Sequence, residues 1–499
     1  HDVRARGRGG QGMTSSVTRD ALAVLQPSFA GPVLPRWFAE LLAEGLGGVC
    51  LFGFNVEDRV QLAALTEAIH DAAPHAVIAI DEEGGDVTRL YQSTSAPFPG
   101  NAVLGRIDDL ALTRAVAEQV GWELRAAGVD LTLAPDVDVN SNPLNPVIGF
   151  RSFGDEPALV SRHGAAWVKG VQSTGIAACA KHFPGHGDTA QDSHLALPVV
   201  DADAETIRSR DVAPFAAAVA AGTRTIMTSH IVVPALDSVP ATFSSAILQG
   251  LLRESLGFEG VIVTDALDMA GASGDRGIPA AAVDALAAGA DFLCIGPDNS
   301  EEQVREIAAA IAAAVGSGAL PASRLAQAAA RVRELGVQAA TARATLALPA
   351  SFAPGAVPGL ALERIAGAFD VSASASAAID STRGAVTWLR LEPAQNIAVG
   401  ASPWGPFAAG VEAAATLRPG GDREAWLGAA ATDEGLTVIV GKDNHRHAFA
   451  RDAIDAARAR GSVVVVDMGW ASPERDYADI ATFGASRLVG EALIARMAP

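Results

Sequence analysis

Between residue 13 and about residue 340 the chain alternates, eight times over, a short apolar run with an Ala-rich stretch of helical period. The apolar runs are Ala21–Leu25, Gly48–Phe52, Ala76–Ile80, Val129–Ala134, Ile176–Ala180, Thr225–Thr228, Val261–Thr264 and Asp291–Ile295. They are near-continuous, as strands covered on both faces must be. Between them lie helical patterns such as Trp37–Glu44, Leu110–Ala127, Ala158–Ser173, Asp211–Ala221 and Ala280–Ala288. A doubly wound sheet would need a Gly-rich phosphate turn after its first strand, and none is there. The pattern predicts an α/β protein built on a (β/α)8 barrel.

Helical patterns at Ser300–Val315 and Ala322–Leu335 close that barrel, expected over residues 13–340. Pro349, Pro354 and Pro358 mark a Pro-rich linker over 341–360. Val386–Leu389, Leu436–Val440 and Val463–Asp467, separated by Ala-rich helices such as Ala448–Arg460, predict a smaller α/β sandwich domain over 361–499. Residues 1–12 are Gly/Arg-rich without an apolar stretch, and Met13 reads as a natural start behind an appended remnant. On that reading no secretory signal remains, and the expected compartment is cytoplasmic. No apolar run approaches the ~18 residues a membrane helix needs. A net charge of −20 argues against nucleic acid or an anionic membrane as partner. Three widely spaced cysteines inside apolar runs, Cys50, Cys179 and Cys294, do not make a disulfide framework or a zinc knuckle.

The fifth apolar run leads directly into Lys181-His182-Phe183-Pro184-Gly185-His186-Gly187-Asp188-Thr189, and then into Asp192 and His194. Pro184, Gly185 and Gly187 exclude a continuing strand or helix, so Lys181 and His182 are expected to open a loop dense in polar groups. Loops on a rigid scaffold are where binding and catalytic residues concentrate. In a barrel of this kind the site lies at the C-terminal strand ends. Those ends supply Asp81-Glu82-Glu83-Gly84-Gly85 with Arg89, then Asp136 to Asn140 leading to Arg151, then Lys181 and His182, Ser229 and His230, and Thr264 and Asp265.

These residues resemble glycoside hydrolase family 3, in its β-N-acetylglucosaminidase branch. The likeness rests on Asp81 to Arg89, Arg151-Ser152-Phe153-Gly154, Lys181 to Thr189, Asp192-Ser193-His194 and Thr264-Asp265-Ala266, in order across the whole barrel. The residues after 361, ending in Gly484-Ala485-Ser486, resemble the second domain of two-domain members. Glu82 departs from the branch, where Gln is more frequent, and adds a negative charge beside Asp81. The resemblance implies Asp265 as nucleophile, His194 as general acid/base and Asp192 as its partner. It implies that Asp81, Arg89, Arg151, Lys181 and His182 bind a terminal N-acetylglucosamine, with a small carbohydrate as substrate and no metal or cofactor. The activity implied is a retaining exo-β-N-acetylglucosaminidase acting on cell-wall (muropeptide) or chitin-derived fragments.

The chemistry agrees with those roles. Glycosidic cleavage needs a proton on the leaving oxygen and support for an oxocarbenium-like centre. A carboxylate past a buried strand can attack C1 and split one hard step into two. Asp192, two residues before His194, can orient the imidazole and support its cationic form. Against this, Asp265 could be a helix N-cap, His194 a surface histidine, and the three cations ordinary ion pairs. His186 and Asp188 are expected to shape the loop, and His230 is open between core and site. A neutral or cationic His194, with Lys181, Arg89 and Arg151, would also admit inorganic phosphate in place of water, making the enzyme a phosphorylase. A zinc hydrolase using His182 and His186 is more remote, because Pro184 and Gly185 break the helical face such ligands need. His445-Arg446-His447 is the only His-x-His.

Overall fold

The structure, a computed structural model, describes residues 16–190, 197–274, 276–382, 384–394, 398–430 and 435–497. Its first eight strands are β1 (Leu25–Pro27), β2 (Gly48–Leu51), β3 (Val77–Ile80), β4 (Leu131–Thr132), β5 (Ala177–Phe183), β6 (Thr225–Thr228), β7 (Val261–Val263) and β8 (Leu293–Gly296). β2 to β7 form one parallel sheet in chain order, and β1 pairs in parallel with β8. Val263 bridges Phe292, joining β7 to β8. On the other side the Gly47 amide donates to the Leu22 carbonyl at 3.1 Å. The result is the expected barrel.

Period-2 side-chain alternation sorts the strand residues into two layers. Cys50, Val77, Ala79, Leu131, Cys179, Val263 and Cys294 pack together, joined by Val332 and Leu335 of the helix Ala322–Thr345. Their neighbours Val49, Leu51, Ile78, Ile80, Ala178, Ile226, Ile262 and Ile295 pack in the larger core with the surrounding helices. All three cysteines are free and buried.

Three departures of the strand boundaries from the sequence reading have a clear physical reason. Residues 16–23 are helical, so the first strand begins at Leu25 rather than Ala21. An apolar run of this length does not by itself distinguish a buried helix from a strand. β4 is short because Pro135 has no N–H to extend the ladder. β5 runs on to Phe183, so Lys181 and His182 lie inside a strand instead of opening a loop. It persists because both neighbours still pair with it, Lys181 with Asp136 and Phe183 with Thr228, across a register irregularity. Pro184 then ends it.

After the barrel, β9 (Asp370–Val371), β10 (Val386–Leu391), β11 (Ala415–Leu417), β12 (Leu436–Gly441), β13 (Val463–Asp467) and β14 (Ile480–Ala481) form a second sheet in the order β11-β10-β12-β13-β14-β9. It is parallel except for β9, which runs antiparallel to β14. Val438, Val440, Val464 and Val466 face a core shared with the helix Arg487–Met497. Leu389, Ile439 and Val465 face the other side, against the helix Ala448–Arg460.

Two residues before β8 the fully buried Asp291 gathers three arginines. One oxygen accepts from Arg324 and from Arg331 at 3.2 Å, the other from Arg253 and from the Ile262 amide at 3.0 Å. Removing one side of a buried pair strands the other charge, which costs about 3–5 kcal/mol. Asp291→Ala should therefore lose stability on that scale in urea unfolding, with Asp291→Asn losing less; a loss under ~1 kcal/mol would show that the arginines reach water instead.

Candidate active site

Three strands bring opposite charges together at one side of the barrel, all buried except the partly exposed Asp81. Lys181 Nζ lies 2.9 Å from both Asp81 Oδ1, just past β3, and Glu83 Oε1. Arg151 grips Glu83 with Nε at 3.1 Å and Nη2 at 2.8 Å, and its Nη2 is 3.6 Å from Asp136 Oδ2. Arg89 Nη2 stands 3.8 Å from Asp81 Oδ2. Burial opposes ionisation of Asp81, but Lys181 and Arg89 outweigh it and hold the carboxyl at about 2. Glu83 is likewise lowered, burial being overcome by Arg151 and Lys181. Lys181 and Arg151 are correspondingly raised despite burial, by Asp81 and Glu83 for the one and by Glu83 and Asp136 for the other.

A second network is built on Asp138. Its Oδ2 is 2.7 Å from His182 Nδ1, and its Oδ1 accepts from the amides of His182 at 3.2 Å and His186 at 2.7 Å. An ionised carboxylate can only accept, so Nδ1 of His182 is the donor. Burial would raise Asp138, but His182 holds it at about 2. Burial and then Asp138 push Asp136 well above the usual carboxylate range, against the pull of Arg151. Burial draws the His186 imidazole down to about 4, so it is neutral near pH 7. Asp136, Asp138 and His182 each present a ligand atom within 4.8 Å of the others, so this trio could hold a cation.

Asp265 follows β7 and accepts from the Ala266 amide at 2.8 Å. His230 is buried directly behind it: Nε2 donates to the Ala266 carbonyl at 3.0 Å, and Nδ1 lies 2.9 Å from Thr242 Oγ1. His230 therefore fixes the turn that carries Asp265. Asp81, Arg89, Arg151, Lys181, His182 and Asp265 line one cavity of about 540 Å³, within the ~300–1,000 Å³ range of small-ligand sites. Asp192 and His194 lie outside the described residues.

The base of the loop leading toward them is well held. Asn145 Nδ2 donates to the carbonyls of His186 at 2.8 Å and Gly187 at 3.0 Å, while Oδ1 accepts from Val147 and Ile148 amides at 2.9 Å. Gly187 must be glycine here, since a Cβ would sit 1.6 Å from the Val139 carbonyl. Asp188 pairs with Arg210 at 2.8 Å. The region after β12 reaches the same segment, Arg446 donating to the carbonyls of Pro143 at 3.1 Å and Asn145. Near the cavity, Arg89 donates to the carbonyls of Ala398 at 3.0 Å and Val399 at 3.4 Å.

Glu83, Asp138, Asn145, His230 and the backbone at 398–399 thus belong to the site without having been assigned to it from sequence. Glu83 and Asp138 sat in strand-end segments already marked as polar, but nothing local says which carboxylate meets which cation. Glu82 does not simply add charge beside Asp81. It turns away, and its Oε2 accepts from Thr88 Oγ1 and the amides of Arg89 and Leu90, all at 2.9 Å. Burial raises it from 4.5 to about 7. The folded chain then holds a proton that the unfolded chain releases, so stability falls as pH rises from about 4.5 to 7. Glu82→Gln should remove this contribution, which is at most about 1.4 kcal/mol per pH unit. Its melting temperature relative to the parent should rise between pH 5 and pH 7.5; a constant offset would show that Glu82 does not titrate there.

The sequence matches the family model described as glycosyl hydrolase family 3 N terminal domain over residues 36–335. It is 38% identical to a beta-hexosaminidase A of Pseudoalteromonas piscicida over 343 residues, which are 63% of this chain and 57% of that protein. It is 38% identical to a beta-hexosaminidase of Methylococcus capsulatus over 270 residues, 53% of this chain and 80% of the relative. Among solved structures, a glycoside hydrolase family 3 beta-N-acetylglucosaminidase from Paenibacillus sp. superposes with a TM-score of 0.83 at 29% identity, covering 96% of each chain. With the family model matched over most of the barrel, the chain belongs to glycosyl hydrolase family 3.

Proposed function

We propose that the chain is a retaining exo-β-N-acetylglucosaminidase that removes terminal, non-reducing N-acetylglucosamine from cell-wall or chitin-derived fragments. The observation that carries this reading is that Asp265 and the paired cluster of Asp81, Lys181 and Arg89 share one small cavity. The family and the named activities of its relatives supply the sugar. In the proposed reaction Asp265 attacks C1, and His194, oriented by Asp192, protonates the leaving oxygen and later activates water. Asp81, Arg89, Arg151, Lys181 and His182 hold the terminal sugar: carboxylate oxygens accept from its hydroxyls and the cations donate. The domain division at 13–340, 341–360 and 361–499 is part of the same proposal. So is a cytoplasmic setting, in keeping with three free thiols; no helix among the described residues is long and apolar enough to cross a membrane.

Phosphate is a weaker acceptor on this geometry than the sequence alone suggested. Lys181 and Arg151 are held by Asp81 and Glu83, and Arg89 faces Asp81, so a second anion would compete with carboxylate partners already in place. Product analysis by phosphorus NMR at millimolar phosphate should show free N-acetylglucosamine and no sugar phosphate. Asp265→Asn should abolish turnover with the fold intact, and a 2-fluoro sugar should label Asp265 in the parent. Turnover near the parent rate would remove Asp265 from the chemistry. His194→Ala should lose roughly 10²–10⁴-fold on natural glycosides. It should spare the glycosylation step of substrates with good leaving groups, and equal losses on both would exclude His194 as the acid.

A further inference from the structure

The cavity has two parts of opposite character. Its deep part is the ion-paired cluster around Asp81 and Lys181. Its rim lies on the segments after β2, β7 and β8, where the exposed lining residues are Phe54, Asp268 and Pro297. Phe54 is 44% exposed, and its ring is nearly parallel to that of Phe52, at 8° with centroids 5.8 Å apart. A half-exposed aromatic ring at the entrance to the cavity that holds Asp81 and Lys181 offers a flat apolar face to a ligand entering there. Among the described rim residues none is cationic.

We propose that Phe54, backed by Phe52, is the platform on which the leaving group's sugar ring rests, and that this rim selects a neutral N-acetylated pyranose over an anionic one. The inference rests on the exo-glycosidase reading above: the terminal sugar fills the enclosed part, so whatever is attached at its C1 projects to the exposed rim. An all-equatorial pyranose turns a face of axial C–H groups outward, and that face packs on an aromatic ring. A leaving group carrying a carboxylate, such as a lactyl ether or a peptide, would bring its negative charge beside that of Asp268. The chemistry favoured is a second N-acetylglucosamine, as in chitin fragments.

The test compares three glycosides of N-acetylglucosamine: the methyl glycoside, which is too short to reach Phe54, the neutral disaccharide N,N′-diacetylchitobiose, and the disaccharide with N-acetylmuramic acid. Phe54→Ala should lower kcat/KM on diacetylchitobiose about tenfold, the loss of one aromatic contact. It should leave the methyl glycoside within about twofold, which also reports an intact fold and active centre, and Phe54→Tyr should restore the disaccharide rate. The parent should prefer diacetylchitobiose to the muramyl disaccharide, and Asp268→Asn should narrow that preference. Equal losses on both neutral substrates, no loss on diacetylchitobiose, or a parent preference for the anionic disaccharide would overturn the proposal. Failure of the parent to turn over any of the three would instead overturn the glycosidase reading, and this inference with it.

Discussion

Lys181 sits between Asp81 and Glu83, and that shared ammonium ties β5 to the segment after β3. Buried charges such as Lys181, Glu83 and Arg151 are tolerated only when each has an opposite partner, since stranding one costs about 3–5 kcal/mol. Arg151 extends the lattice from Glu83 to Asp136, so β5 and the segments after β3 and β4 hold one another in place. The arrangement is also preorganised: ordered charges and hydrogen-bond donors face the cavity before a ligand arrives, which cuts the ordering otherwise required on binding.

The second sheet is part of that order. Asp86, just beyond the Glu83 segment, accepts from the Ala485 amide at 3.1 Å with both oxygens, and Ser95 accepts from the Arg487 amide at 2.9 Å. Val103 of the barrel packs in the core of the second sheet. With Arg446 on the segment before Arg151, and Arg89 on the carbonyls of Ala398 and Val399, the later residues brace the cavity from two sides. Gly85 makes part of this possible, because a Cβ there would lie 2.5 Å from the Gly100 Cα.

Much of the fold was legible in the sequence because its signals are local. Eight near-continuous apolar runs separated by helical periods point to a barrel, because its strands are covered on both faces. The strand-end residues were legible for the same reason: once the strands are known, their C-terminal ends face one side. Less legible were the ends of elements that depend on neighbours. β5 could not be seen to continue through Lys181 and His182, because what sustains it is pairing with Asp136 and Thr228, 45 residues away in each direction.

The sequence by itself determined the barrel, the identity of the polar groups at its mouth and their order along the chain, since hydrophobic period and residue type are properties of short segments. Only the tertiary structure decided how those groups are used. It assigned Lys181 to Asp81 and Glu83, His182 to Asp138, His230 to the turn after Asp265, and Glu82 to the amides of Arg89 and Leu90. The physical reason is that an ion pair or a buried hydrogen bond depends on distance and desolvation. Both are fixed by closure of the barrel between residues as far apart as Asp81 and Lys181, and no local pattern encodes them.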